Sequence, residues 1–208
     1  MREAIALFAK AAVPGRVKTR LTSALTPEQA AAFHEACVRD VWEKIRGLVG
    51  EGAFLYSDAE WEPWDLLAGA QVRFQRDGDL GDRMLGCFEE LVEEGFERVL
   101  IVGSDSPTLP AAILRDGLDA LEGDEDTVLG PTEDGGYYTV GCRRPHERMF
   151  GEVAWSADTT FEQTQSAFRR VGYQTTVLPE WWDVDTSEDL ERLRAAGPEG
   201  RVGEWLAG

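Results

Sequence analysis

Histidine is almost missing from this chain: His34 and His146 are the only two in 208 residues. A metal centre built on several imidazoles is therefore excluded. Any metal has to sit on carboxylates, which favours Mg2+ or Mn2+. Cysteine is scarce as well. Cys37, Cys87 and Cys142 are odd in number and far apart, which is neither a disulfide framework nor a zinc pattern. Each is expected to be a small buried hydrophobe in a reducing compartment. No apolar run approaches the roughly 20 residues that cross a bilayer. The short apolar run near the N-terminus leads into a cationic loop, unlike a secretory signal. The expectation is a soluble, cytoplasmic protein with no membrane partner. Positive charge is also short: 21 Lys and Arg stand against 39 Asp and Glu, a net charge of -18. Nucleic-acid binding depends on neutralising phosphates, so it is not expected here.

What is present starts with Ile5–Leu21. An apolar run, Ile5–Ala9, has the length and composition of a buried strand. Val13-Pro14-Gly15 breaks it, and Lys10, Arg16, Lys18 and Arg20 cluster around the break. A cationic loop on an anionic protein suits a small polyanion, most simply a di- or triphosphate. Lysine would act as a point charge and arginine as a planar fork. The stretch is not a P-loop, since Gly15–Thr19 lacks the Gly-Lys-Ser/Thr core, and no Gly-x-Gly-x-x-Gly turn occurs here.

Further along, Thr26-Pro27-Glu28-Gln29 reads as a capping box with proline in the first turn. The helix is expected to run to about Leu48 with Phe33, Cys37, Val41 and Ile45 on one face. His34 lies beside that stripe and is expected to be structural or exposed rather than catalytic. Strands are expected at 53–57, 72–75, 98–103, 127–131, 137–141 and 174–178. Helices are expected from Asp82 or so to Glu94, over 111–121, from Thr159 with Glu162 closing a capping box, and from Thr186 with Asp189. A short acidic turn or helix at 60–68 holds Trp61 and Trp64. The tail, with Val202 and Trp205, is expected to dock as a short helix. Strands alternate with helices and no repeat or linker intervenes. The expectation is one α/β domain over 1–208 with a mostly parallel sheet flanked by helices.

Two acidic segments are the candidates for chemistry. Asp105 follows the most apolar strand, at the carboxyl end where open α/β sheets hold substrates. Asp185 lies in Asp183-Val184-Asp185-Thr186, just before a helix. Spacing alone leaves open whether they meet or merely cap two helices. Gly78-Asp79-Leu80-Gly81 is either a phosphate-approaching turn or a plain strand-to-helix connection. Glu133-Asp134-Gly135-Gly136-Tyr137 is either a ligand-wrapping turn or an acidic hairpin.

Phe8-Ala9-Lys10, with Pro14–Leu21, resembles the opening of the rSAM/selenodomain-associated transferases, members of the nucleotide-diphospho-sugar transferase superfamily with the GT-A fold. The Lys18-Thr19-Arg20-Leu21 core is similar to that of 2-phospholactate guanylyltransferases, and the superfamily also includes molybdenum-cofactor nucleotidyltransferases. Gly103-Ser104-Asp105-Ser106-Pro107 resembles the first metal-aspartate segment of GT-A nucleotidyltransferases. Asp183–Leu190 resembles the Asp-x-Asp-Thr-Pro-Glu-Asp-Leu element that supplies the second ligand, with Ser187 in place of the usual proline. The resemblance implies a Rossmann-like GT-A domain with Asp105 and Asp185 on the metal. It implies a nucleotide against Phe8, Ala9, Lys10, Gly15, Lys18, Arg20, Gly78, Asp79, Gly81 and Ser104. The acceptor would lie against Glu133, Asp134, Gly135, Gly136 and Tyr137, and Lys18, Arg20, Asp105 and Asp134 would carry the chemistry. Two activities are expected from it: nucleotidyl transfer from a nucleoside triphosphate to a small phosphorylated or carboxylated acceptor, or glycosyl transfer from a nucleotide-sugar. A non-catalytic nucleotide-binding protein is the third reading.

Overall fold

The computed structural model describes residues 1–61, 67 and 69–208. The turn or helix expected at 60–68, Trp64 included, therefore falls largely outside the described residues. Trp61 packs half-buried against the core.

Among the described residues, seven strands make one sheet. They are β1 (Glu3–Ala9), β2 (Ala53–Ser57), β3 (Gln71–Phe74), β4 (Arg98–Gly103), β5 (Thr127–Pro131), β6 (Tyr137–Cys142) and β7 (Thr175–Val177), in the order β3-β2-β1-β4-β6-β5-β7. All run one way except β6, which is antiparallel to both of its neighbours. The sheet is mostly parallel, as expected. The helices are α1 (Pro27–Val49), α2 (Leu80–Glu93), α3 (Ala111–Ala120), α4 (Thr160–Arg170), α5 (Ser187–Ala196) and α6 (Gly200–Ala207).

Strand alternation sorts the core into two layers. Ile5 and Leu7 of β1 pack with Val38, Val41, Trp42 and Ile45 of α1 and with Leu114 and Leu118 of α3. Ala4 and Ala6 face Met84, Phe88 and Leu91 of α2 and Phe168 of α4. A strand covered on both sides has no polar face, which is why β1 and β4 read as continuous apolar runs. Cys37, Cys87 and Cys142 are free and buried. Among the described residues no helix is long and apolar enough to cross a membrane.

The capping boxes expected at Thr26 and Thr186 form, with Gln29 and Asp189 as partners. The box expected at Thr159 does not. Thr159 has φ -103 and ψ 3, which is not the extended backbone a side-chain cap needs. Gln163 bonds there instead, donating to the Thr159 hydroxyl and accepting from the Ala154 amide.

The tail docks as α6. Asp40 of α1 accepts from the Arg201 amide at 2.7 Å and the Val202 amide at 2.9 Å, capping α6 from another helix. Asp40→Ala should therefore lower stability by about 0.5–2 kcal/mol. Urea unfolding reads this, and an unchanged midpoint would mean that α6 docks through its apolar contacts, Val202, Trp205 and Leu206, alone.

Glu3 sets a pH dependence. It bonds Arg115 at 2.9 and 2.5 Å and pairs with the buried Arg98 at 2.8 Å. The Arg115 hydrogen bond, against the opposing cost of burial, holds its carboxyl below the usual range. Stability from this group is complete above the unfolded-state value of about 4.3. It is lost as pH falls through the lower folded-state value. Glu3→Gln should cost about 1–3 kcal/mol at neutral pH. The gap to the parent should shrink on acidification below about pH 4, measured by urea unfolding at both pH values.

Candidate active site

The site lies at the carboxyl edge of β1 and β4, which are paired from Glu3↔Arg98 to Phe8↔Gly103. Past β4, Ser104 is buried and Asp105 is half-exposed. Past β1, the basic loop is tied down by the Ala11 amide, which donates to Asp58 at 2.7 Å. Lys18 adopts a left-handed backbone (φ 47, ψ 37) and opens a short 3-10 helix over Thr19–Ser23.

The second aspartate is delivered by backbone pairing. The Trp181 amide donates to the Pro131 carbonyl at 3.0 Å, and the Glu133 amide to the Trp181 carbonyl at 3.1 Å. The Val184 amide donates to the Asp105 carbonyl at 2.9 Å. The stretch 181–185 thus lies along the end of β5 and hooks onto the Asp105 loop. Neither aspartate caps a helix: Pro110 stands at the N-cap of α3 and Thr186 at that of α5.

Lys18 joins the two. Its Nζ contacts Asp105 Oδ1, donates to Asp185 Oδ1 at 3.0 Å and donates to the Val184 carbonyl at 2.7 Å. Both carboxylate oxygens lie within 3.0 Å of one nitrogen, so they are at most twice that distance apart. The Lys18 side chain is only 3% exposed, while Asp105 and Asp185 keep 46% and 34%. Burial works against the ammonium charge, but Asp105 and then Asp185 outweigh it and raise its pKa. Burial likewise pushes Asp105 up, yet Lys18 wins and holds it below the usual carboxylate range. Asp183 behaves differently. Burial, then the Asp105 charge, pushes it up to about 7, against a hydrogen bond from the Ser106 hydroxyl.

A cleft of about 460 Å³ opens onto this pair and is lined by Phe8, Ala9, Lys10, Lys18, Arg20, Ser104, Asp105 and Asp185. A second cavity of about 250 Å³ holds Glu133, Asp134, Trp182, Asp183, Thr186 and Asp189. Arg20 and Asp185 line both. Two substrates could therefore meet at Asp185.

Several expected residues shape the site without lining either cavity. Gly15 makes the turn of the basic loop at φ +79. Asp79 caps α2, its carboxylate accepting from the Asp82 amide at 2.9 Å. Gly81 is packed under Trp155 and Phe150, where a Cβ would come within 2.7 and 2.9 Å of them. Gly78 precedes the α2 cap, and its carbonyl accepts from Arg83 at 3.1 Å. The Gly78–Gly81 element is thus a strand-to-helix turn that reaches the cleft through Leu80. Tyr137 turns into the core and its hydroxyl faces the Met84 sulfur at 3.9 Å, away from the acceptor side. Gly135 and Gly136 form the turn that carries Glu133 and Asp134. Asp134 Oδ1 accepts from the Thr132 hydroxyl at 2.6 Å and the Gly136 amide at 3.1 Å.

Other residues in or beside the two cavities were not assigned to the site from sequence. Arg83, Gln75, Leu80 and Ser156 line the larger cleft. Arg192 stacks over Trp182 at 4.3 Å and bonds Glu133 at 2.7 and 3.0 Å. His34 is buried rather than exposed and lines the cleft, its Nε2 2.9 Å from the Lys10 carbonyl. Burial, first among opposing influences, lowers its pKa. Helical periodicity put it beside the core stripe but gave no sign of what that face meets.

The donor set suits a hard cation. Two partly exposed carboxylates converge, and magnesium binds through one or two carboxylates while keeping waters and phosphate oxygens. Among the described residues no group of three or more Asp, Glu, His or Cys could hold an ion. An all-protein cage is thus not what this edge offers.

Fold and cleft define a class, the nucleotide-using transferases built on a mostly parallel sheet. A structure described as a putative nucleotide-diphospho-sugar transferase from Desulfovibrio desulfuricans G20 is 28% identical, with TM-score 0.89, and the match covers 100% of this chain and 95% of that one. CMP:2-keto-3-deoxy-manno-octonic acid synthetase complexed with CTP shares the fold at TM-score 0.61 and 15% identity, covering 94% and 98% of the two chains. So does glucosyl-3-phosphoglycerate synthase from Mycobacterium tuberculosis with Mg2+ and uridine-diphosphate, at TM-score 0.56 and 12% identity over 92% and 74%. No curated protein matches by sequence. The chain belongs to the family described as an uncharacterized protein conserved in bacteria (DUF2064), whose model matches residues 50–157.

Proposed function

We propose that the whole chain acts as one metal-dependent nucleotidyltransferase domain. It would join a nucleoside triphosphate to a small phosphorylated or carboxylated acceptor and release pyrophosphate. The observation that carries this is the meeting of Lys18 with Asp105 and Asp185 at the mouth of the cleft. Lys10, Lys18 and Arg20 line one wall and suit a triphosphate chain. Asp105 and Asp185 would hold Mg2+ or Mn2+, which neutralises charge on the leaving pyrophosphate. Lys18 and Arg20 stabilise the same charge from the protein side. Arg20, 68% exposed and shared by both cavities, is placed to anchor an anionic acceptor. Glu133 and Asp134 would take its hydroxyls. The opening motif supports kinship with the rSAM/selenodomain-associated transferases and 2-phospholactate guanylyltransferases. The charge balance favours small molecules over nucleic acid or membranes as partners, and a cytoplasmic setting suits the free thiols.

Glycosyl transfer from a nucleotide-sugar is the second reading, favoured by the 28% identical neighbour described as a putative nucleotide-diphospho-sugar transferase. A thermal-shift panel of nucleoside triphosphates and nucleotide-sugars, with and without magnesium, separates them. A ligand at 100 times its dissociation constant adds about 2.7 kcal/mol, or roughly 5–10 °C at this size. Pyrophosphate release from the stabilising triphosphate supports nucleotidyl transfer. Nucleoside diphosphate release from a nucleotide-sugar, with triphosphates inert, would hand the site to glycosyl transfer.

A further inference from the structure

Lys18 is held unusually for a phosphate-binding lysine. Its left-handed backbone is costly for a residue with a Cβ. Its ammonium has three protons to donate and three acceptors around it: Asp105 Oδ1, Asp185 Oδ1 and the Val184 carbonyl. The side chain is 3% exposed although the cleft beside it is open. The ammonium is therefore spent on the carboxylates and the Val184 carbonyl, with no donor left over for a phosphate in the cleft.

We propose that Lys18 is a resident counter-ion that competes with the divalent metal for Asp105 and Asp185. This rests on the reading of those two aspartates as metal ligands. A divalent ion held by the two Oδ1 atoms that now face Lys18 would take the place of the ammonium. Two cations that close repel strongly in a partly buried site. Metal entry therefore requires Lys18 to leave, and its flexible four-carbon stem allows this without refolding. The cleft lined by Lys10 and Arg20 is where it can go, and a phosphate chain there would compensate its charge. Metal and nucleotide then load together, and metal alone binds weakly.

Mn2+ titration of the full-length protein, followed by the spin-resonance signal of free Mn2+ with no nucleotide present, tests this. Lys18→Met and Lys18→Gln should each bind one Mn2+ about tenfold or more tightly than the parent, a usual size for such coupling. Adding Asp105→Asn to either should remove that site. A second measurement needs no variant. Acylation of Lys18 in the parent, read by peptide mass, should speed up as Mn2+ is raised to saturation. If the folded variants bind Mn2+ no better than the parent while Asp105→Asn still abolishes binding, the counter-ion role falls and the metal reading stands. Unchanged acylation would also overturn it. If Asp105→Asn leaves Mn2+ bound, the metal reading falls and takes this inference with it.

Discussion

Asp105→Ala and Asp185→Ala should each cut metal-dependent turnover by at least about a thousandfold, because a metal supplies several kcal/mol of charge stabilisation and each 1.36 kcal/mol is tenfold. Their turnover, rather than their stability, should separate them from simple cap residues, whose loss costs about 0.5–2 kcal/mol with chemistry kept. Two bare carboxylates this close would repel, and removing one would relieve the protein. Lys18 changes that sign, since it lies between them and is almost fully buried. Removing Asp105 leaves the ammonium with one carboxylate fewer. The full penalty for breaking a buried pair does not apply, because Asp105 is itself half-exposed and Asp185 remains. A loss of about 1–2 kcal/mol is expected. Asp183→Ala is the control. Asp183 is turned to Ser106 and crowded by the Asp105 charge, so its loss should spare most of the turnover. Steady-state rates with and without Mg2+, beside urea unfolding, check all three. An Asp105→Ala protein that still turned over with magnesium would end the two-carboxylate mechanism.

Much of this site was readable because it depends on local signals. The apolar runs of β1 and β4 mark strands covered on both faces, and the charges follow at their carboxyl ends. Thr186 with Asp189 marks the start of α5 and so the place where Asp185 must stop. That Asp105 and Asp185 meet was not readable from spacing. It depends on the segment 181–185 pairing with β5 and with the Asp105 carbonyl, a long-range contact carried by backbone groups that any sequence has. The Gly78–Gly81 turn stayed ambiguous for a related reason. A glycine that lets a ligand approach and one that lets Trp155 approach look alike in sequence. Tyr137 illustrates strand parity: in β6 alternate residues face opposite layers, and only the register shows which way Tyr137 turns. Arg83 and His34 stand on helices whose other faces carried the visible pattern, and Gln75 lies just past the end of β3.

Gly135→Ala should be the most damaging single methyl in the acceptor half. The glycine has φ +87, and a Cβ there would fall 1.9 Å from the Asp158 carbonyl oxygen. Neither partner can yield by rotating a side chain, because the obstacle is backbone. The turn is also bonded on both sides. The Gly135 amide donates to the Thr132 carbonyl at 3.0 Å, and the Gly135 carbonyl accepts from the Phe161 amide at 2.9 Å. Relief of the clash must therefore move the Thr132–Gly136 turn, which carries Glu133 and Asp134, away from α4. Backbone strain and lost bonds together should cost about 2–4 kcal/mol, or roughly 5–15 °C in melting temperature. Gly172→Ala supplies the comparison, since its φ is +83 but a Cβ there meets nothing within 4 Å. It should show the conformational cost alone, about 1–2 kcal/mol. The functional signature is asymmetric. Glu133 and Asp134 line the smaller cavity, proposed for the acceptor, whereas the larger cleft, proposed for the nucleotide, is lined from β1, α2 and the loop past β4. Gly135→Ala, assayed below its melting temperature, should raise the acceptor KM several-fold and leave nucleotide affinity within about twofold, a shift of under 0.5 kcal/mol. An equal loss of nucleotide affinity would mean that the two cavities do not serve separate substrates.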